Sequence, residues 1–287
     1  MAAEEFAELS STDKVRSKGL DQFYTNVDVS LSCIDSLGAQ FKWDTWDLVI
    51  EPSAGNGSFS TQIPTDVVAL DISPGHDSIT KQDFFEYSPD DQTKNILVVG
   101  NPPFGKSCSL AIKFFNHAAE WANVIAFIIP RTFRRTSVQN KLNLNFHVVS
   151  DVDIQTKPCA FNPPMSVKCC FQIWERKPDA RLPVLLPTTH DDWEFLKFGP
   201  IDANNQPTPP DGADFAIRAY GGKCGEIVTE NLDTLRPKSW HWIKTTIVEK
   251  TQLINKFKKL DYSICLNTAR QNSIGKADLI SLYSQLE

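Results

Sequence analysis

The segment Val99-Gly100-Asn101-Pro102-Pro103-Phe104-Gly105 closes an apolar, valine-rich run with an amide, two prolines and an aromatic ring. These residue types suit chemistry on a planar amino group such as that of adenine. Its nitrogen is a poor nucleophile because the lone pair is delocalised into the ring. Two acceptors held at its hydrogens favour a pyramidal, reactive nitrogen. Asn101 Oδ1 and the Pro102 carbonyl are candidates for those acceptors, and Phe104 is a candidate for a ring that stacks on the base. Pro102 and Pro103 stiffen the backbone and remove two N–H donors, which leaves nearby carbonyls free to face a ligand. The alternative for the same residues is a rigid turn after a strand.

A second constellation lies upstream. Leu48-Val49-Ile50 runs into Glu51-Pro52-Ser53-Ala54-Gly55-Asn56-Gly57-Ser58-Phe59, where small residues let a cofactor approach the backbone and Glu51 can accept hydrogen bonds from an ammonium group. The dinucleotide fingerprint G-x-G-x-x-G is not completed: Ser60 stands where its third glycine would be, followed by Thr61-Gln62, which disfavours a nicotinamide cofactor. Asp71, with Ile72 beside it, ends the next apolar run and is placed to accept from ribose hydroxyls. In Gln82-Asp83-Phe84-Phe85 a carboxylate and aromatic surface could receive an adenine ring; the alternative for Asp83 is a helix-cap or loop aspartate.

These residues need a sheet to position them, and the chain supplies its pattern. Short apolar runs at Asp47–Ile50, Val67–Asp71, Ile96–Gly100, Val124–Ile129, His147–Val152 and Cys169–Trp174 predict strands. Helical patterns at Val27–Leu37, Ser107–Trp121 and around Arg131–Asn140 predict the layers that cover them. Runs without polar alternation are those of strands buried on both faces, so the expected fold class is α/β, a Rossmann-like doubly wound sheet with a small C-terminal α+β extension. Each candidate residue then falls at the carboxyl end of a strand, where open α/β sheets bind ligands.

Residues 1–176 form the expected catalytic domain, and 177–214, with seven prolines from Pro178 to Pro210, read as a linker or irregular excursion. Residues 215–287 read as a small region for target recognition: a hairpin from Phe215–Tyr220 and Glu226–Thr229 around Gly221-Gly222, then helices near Thr246–Leu260 and Lys276–Leu286.

With these motifs in hand, the sequence resembles the amino-group DNA methyltransferases, in which cofactor motifs precede N-P-P-[FY]. Glu51 to Phe59 matches the family's E-P-x-x-G-x-G-x-F loop, and Asn101 to Phe104 matches its catalytic motif. Leu20-Asp21-Gln22-Phe23-Tyr24-Thr25 is similar to its N-terminal cofactor motif, with Asn26 in place of the frequent proline. Ile128 to Phe133, Asn145 to His147, Val167 to Trp174 and Asn267 to Lys276 resemble segments of phage, viral and bacterial adenine-specific members.

The resemblance implies S-adenosylmethionine as cofactor, held by Tyr24, Thr25, Glu51, Ser53, Ala54, Gly55, Gly57, Asp71, Ile72, Asp83, Phe84 and Asn101. It implies catalysis by Asn101, Pro102, Pro103 and Phe104, and a second aromatic against a flipped base, for which Phe161 is the candidate. A buried loop aromatic is the alternative for Phe161. Arg131, Arg134 and Arg135 follow the fifth strand and are candidates for phosphate contacts, or else lie on a solvated helix face.

The implied activity is methylation of adenine N6 in DNA by a site-specific enzyme. RNA adenine, a protein glutamine amide, or a non-catalytic nucleic-acid-binding role remain alternatives; E-P-x-x-G leans against the glutamine amide. The net charge of -6 sits uneasily with a polyanionic partner, yet residues 216–287 carry 11 Lys/Arg against 7 Asp/Glu. Seven scattered cysteines without a C-x-x-C pair point to a reducing compartment and to no metal. The polar start, Met1 to Asp13, and the lack of a long apolar run lead to the expectation of a soluble intracellular protein, cytoplasmic or nuclear.

Overall fold

The computed structural model describes residues 22–91 and 94–286, so Leu20, Asp21 and Met1 to Asp13 lie outside the described residues. The chain divides into two compact units, Met1–Pro183 and Val184–Glu287.

The first unit opens with a short strand, β1 (Tyr24–Thr25), and helix α1 (Val27–Gly38). Then come β2 (Leu48–Glu51), β3 (Val67–Asp71), β4 (Thr80–Lys81), β5 (Ile96–Gly100), helix α2 (Ser109–Ala118), β6 (Val124–Pro130), a single helical turn α3 (Thr136–Gln139), β7 (Phe146–Asp153), β8 (Phe161–Asn162) and β9 (Cys169–Arg176). The seven-stranded sheet has the order β4-β3-β2-β5-β6-β9-β7. Strands β4 to β6 pair in parallel, and β9 runs antiparallel between β6 and β7.

Every residue of β5 and β6 is buried, as their unbroken valine and isoleucine runs require of central strands covered on both faces. Phe114, Phe115 and Ala118 of α2 pack on one face with Trp121, Phe146 and Trp174. The chain winds outward from β2 through β3 to β4, returns to β5, and winds the other way through β6. The order therefore reverses between β2 and β5, and an open α/β sheet binds its ligand outside the carboxyl ends of such a pair.

In the second unit β10 (Trp193–Phe195), β11 (Phe215–Arg218), β12 (Ile227–Val228) and β13 (Trp240–Thr245) form an antiparallel sheet of order β10-β13-β11-β12. Helices α4 (Lys250–Lys258) and α5 (Lys276–Ser284) pack Leu253, Phe257, Leu279 and Tyr283 against Phe215, Ile217 and Ile243. The expected hairpin forms as β11–β12, while β13, its central partner, has no counterpart among the expected elements.

The expected linker is corrected in part. Residues 177–183 belong to the first unit, and Trp193–Phe195 is a strand paired with β13. Three residues with one fully buried tryptophan are too short a run to stand out from a proline-rich stretch. Among the described residues no helix is long and apolar enough to cross a membrane.

Candidate active site

Strands β2 and β5 are neighbours at the reversal, so Glu51 and Asn101, which end them, come together from distant parts of the chain. The two are packed closely: a Cβ at Gly100, whose φ is +147°, would stand 3.2 Å from Glu51 Cγ. Glu51 is buried, and its Oε2 accepts the Ser60 N–H at 2.8 Å. Burial pushes its carboxyl up to about 8; the Ser60 hydrogen bonding opposes the rise and the Asp71 charge adds to it. A carboxyl in that state gains most from a cationic partner.

The loop after β2 turns through left-handed backbone at Gly55 (φ +58°) and Gly57 (φ +85°), which only glycine adopts at low cost. The Tyr24 ring lies over Gly55, where a Cβ would meet Tyr24 Cδ1 at 2.8 Å. Ala54 is buried against Ala69 and Ile79. Ser58 donates to the Thr25 carbonyl at 2.6 Å, which ties the loop to β1. Asp71 holds the loop as well as flanking it: Oδ2 accepts the Gly55 N–H and Oδ1 accepts the Ser73 N–H. Ile72 beside it is exposed.

Asn101 is anchored at three points by its surroundings. Its backbone carbonyl accepts from Ser53 Oγ at 3.1 Å, its Nδ2 donates to the Phe23 carbonyl at 3.3 Å, and its peptide unit follows the buried end of β5. With Nδ2 so engaged, Oδ1 is left buried and, among the described residues, without a hydrogen-bond partner. An orphaned buried acceptor costs roughly 1–3 kcal/mol, which a fold tolerates where a ligand supplies the missing donor.

Pro102 is buried and Phe104 half-buried. Beyond Phe104 the chain reverses through left-handed Gly105, Ser107 and Cys108, so that the Phe104 carbonyl caps α2 by accepting the Leu110 and Ala111 N–H groups at 3.2 and 3.3 Å. Gly100 to Ser107 also satisfies the G-x-x-x-x-G-K-S spacing of a nucleotide phosphate loop. The structure removes that reading, because two of its positions are prolines and the first donors of the helix are spent on Phe104.

One expectation is corrected, at Phe84, and two further candidates, Asp83 and Phe161, take the following places. Phe84 is only 1% exposed, packed among Phe114, His117 and Trp121 in the core, so it offers no surface to a ligand; its neighbour Phe85 is the exposed ring. Asp83 is the cap of the short helical turn it precedes, accepting the Phe85 N–H at 2.9 Å. Phe161 is buried in β8 and meets the Phe104 ring edge to face at 6.5 Å between centroids.

The arginine cluster is also committed elsewhere. Arg131 pairs with Asp153 at 2.9 Å, and Arg134 with Asp151 and Asp153 on β7. Those hydrogen bonds hold the Arg134 guanidinium well above its usual range. Asp151 in turn accepts from the buried Gln172. Carboxylates from β7, invisible in a linear reading of Arg131-Thr132-Phe133-Arg134-Arg135, neutralise Arg131 and Arg134.

The motif segments also act through groups that were not among the candidate site residues. The Phe23 carbonyl and Ser58 hydroxyl orient Asn101 and the loop, and a backbone carbonyl leaves no trace in side-chain pattern. Asn26 contributes twice: its N–H donates to the Ala160 carbonyl at 2.9 Å and its Nδ2 to the Cys159 carbonyl at 2.7 Å. Proline, frequent at this place in the resembled family, has neither donor.

No protein-family profile and no curated protein sequence matches the chain. Solved structures similar to it include a proposed RNA methyltransferase from Pyrococcus horikoshii, at 16% identity and TM-score 0.40 over 55% of this chain and 89% of that one. Others are the 23S rRNA methyltransferase ErmE, at 18% identity and TM-score 0.39 over 56% and 72%, and the magnesium protoporphyrin IX methyltransferase ChlM from Synechocystis with bound S-adenosylmethionine, at 14% identity and TM-score 0.38 over 58% and 92%. Likeness of this degree concerns the fold and says nothing of the substrate.

Proposed function

We propose that the chain is an S-adenosylmethionine-dependent, site-specific methyltransferase that modifies adenine N6 in DNA. One observation carries the reading: the buried, unpartnered Oδ1 of Asn101, in an intact N-P-P-F segment at the reversal of the sheet.

The residues present fit the cofactor. Gly55 and Gly57 open the backbone, Tyr24 covers the loop, and the buried Glu51 carboxyl is suited to an ammonium group. When bound, S-adenosylmethionine supplies an electrophilic methyl group on a sulfonium centre.

The chain's own residues do the rest. Asn101 Oδ1 and the Pro102 carbonyl accept from the two amino hydrogens, drawing the nitrogen lone pair out of conjugation. The Oδ1 acceptor needs no reorganisation, because the Phe23 carbonyl already holds its side-chain amide and Ser53 its backbone carbonyl. Phe104, in edge-to-face contact with Phe161, offers a ring face for the base. In duplex DNA the adenine must leave the stack, at a cost of a few kcal/mol. The partner is thus a nucleic acid, and phosphate contacts come from groups other than Arg131 and Arg134.

The test is incubation with radiolabelled S-adenosylmethionine and, separately, unmethylated duplex DNA, single-stranded DNA and total RNA, followed by digestion to nucleosides. Labelled N6-methyldeoxyadenosine supports the reading. N6-methyladenosine from RNA alone retains the site and replaces the substrate. Cofactor binding without a labelled nucleoside rejects the nucleic-acid substrate and redirects the search to a protein amide.

A further inference from the structure

The groups that would receive the base are set by a small device outside the main sheet. Strand β1 pairs antiparallel with β8, Tyr24 opposite Asn162 and Thr25 opposite Phe161. From this two-stranded ribbon the Phe23 carbonyl reaches Asn101 Nδ2, and the Phe161 ring packs against Phe104. The Thr25 carbonyl and the Tyr24 ring meet the cofactor loop at Ser58 and Gly55.

At the end of the ribbon stands Asn26. It occupies the N-cap of α1, a place where asparagine normally turns its side-chain oxygen to the helix's own N–H groups. Here it makes no side-chain cap. Its amide nitrogen donates instead across the ribbon to the Cys159 carbonyl, beside the N–H bond to Ala160. A strong capping residue that gives up its cap for a contact more than a hundred residues away is serving that contact.

We infer that Asn26 is a positioning residue for the reaction: by tying 159–160 to β1 it holds the Phe23 carbonyl on Asn101 and the Phe161 ring on Phe104 in one clamp. The inference rests on the reading of Asn101 and Phe104 given above. Asn26 touches neither group and acts through the ribbon. Its side chain is exposed, so its replacement disturbs no core.

The experiment uses Asn26→Ser, which keeps a capping residue on α1 and removes the Nδ2 donor. Turnover on the adenine substrate should fall roughly tenfold with the cofactor KM within about twofold and the thermal midpoint unchanged, since small misplacement of reacting groups weighs on kcat. In the double variant with Phe161→Ala, the loss of turnover should be smaller than the product of the two single losses, because the two share the Phe104 branch of the clamp while only Asn26 also reaches Asn101. Unchanged turnover, or losses that multiply, overturns the proposal.

A readout without cofactor or substrate separates the clamp from the function. With 4-fluorophenylalanine at position 104, the fluorine resonance should shift or split in Asn26→Ser. An unchanged resonance also overturns the clamp. If the resonance moves while the wild-type protein methylates no nucleoside, the clamp exists and the assignment of the reaction is what fails, taking the positioning role with it.

Discussion

At the residue scale two groups carry opposite demands. Asn101 presents a buried acceptor that no described residue satisfies, and Glu51 a buried carboxyl held mostly in its neutral form at pH 7. Replacing Asn101 by Ala removes the acceptor but none of the loop proposed to hold the cofactor. Turnover should drop by a factor of roughly 100–1,000, the scale of losing one preorganised group, while cofactor affinity in a calorimetric titration changes little. Retention of near-wild-type turnover would sink the role assigned to the amide.

Glu51→Gln makes a different prediction. The folded carboxyl titrates at about 8, above its unfolded value near 4.3, so the folded state holds more protons between those limits. The stability contribution is therefore complete below pH 4 and is lost as pH rises towards 8, by on the order of 4 kcal/mol. Denaturant titrations from pH 5 to pH 8 should show that decline in the parent and a flatter profile in Glu51→Gln. The variant should be the more stable of the two at pH 8 and bind the cofactor more weakly, because it cannot offer a charge to the ammonium group.

At the element scale the loops, rather than the strands, decide what the site can do. Gly55→Ala places a methyl group 2.8 Å from the Tyr24 ring on a left-handed backbone. It should cost about 1–2 kcal/mol of stability and a larger share of cofactor affinity, read by thermal melts with and without S-adenosylmethionine. Arg134→Ala breaks a half-exposed network with Asp151 and Asp153, worth about 1 kcal/mol after solvent screening. It should lower the melting temperature by a few degrees and leave the salt dependence of DNA binding unchanged, whereas a phosphate contact would reduce that slope by about one.

The strands themselves were legible. Val67–Asp71 and Ile96–Gly100 form with the expected bounds because strands covered on both faces read as unbroken apolar runs. The strand β13 was not, since it faces apolar surface on both sides of the second sheet and Ile243 breaks the apolar–polar alternation that Trp240-His241-Trp242 begins. Its alternating tryptophans and the β-branched Ile243 and Thr245 were the signal available.

At the scale of the whole molecule, the chain is two units joined where Leu182 and Leu185 stand 87% and 90% exposed among prolines. Brief thermolysin digestion should cut first in this stretch and release two fragments. Persistence of the full-length chain while loops elsewhere are nicked would argue against a separable joint.

The amino-acid sequence by itself determined the α/β class, the places of its central strands along the chain, and the residues at their carboxyl ends: Glu51, Asp71 and Asn101. Those depend on local pattern, apolar runs ended by turn-formers and polar groups, which a linear reading contains. Only the tertiary structure decided which groups those residues answer to. It turned Phe84 into the core, closed Arg131 and Arg134 with carboxylates from β7, put Phe161 against Phe104, and left Asn101 Oδ1 without a partner among the described residues. Each of these is a pairing between residues far apart in the chain, and burial and hydrogen-bond satisfaction are properties of such pairings, absent from any single stretch of sequence.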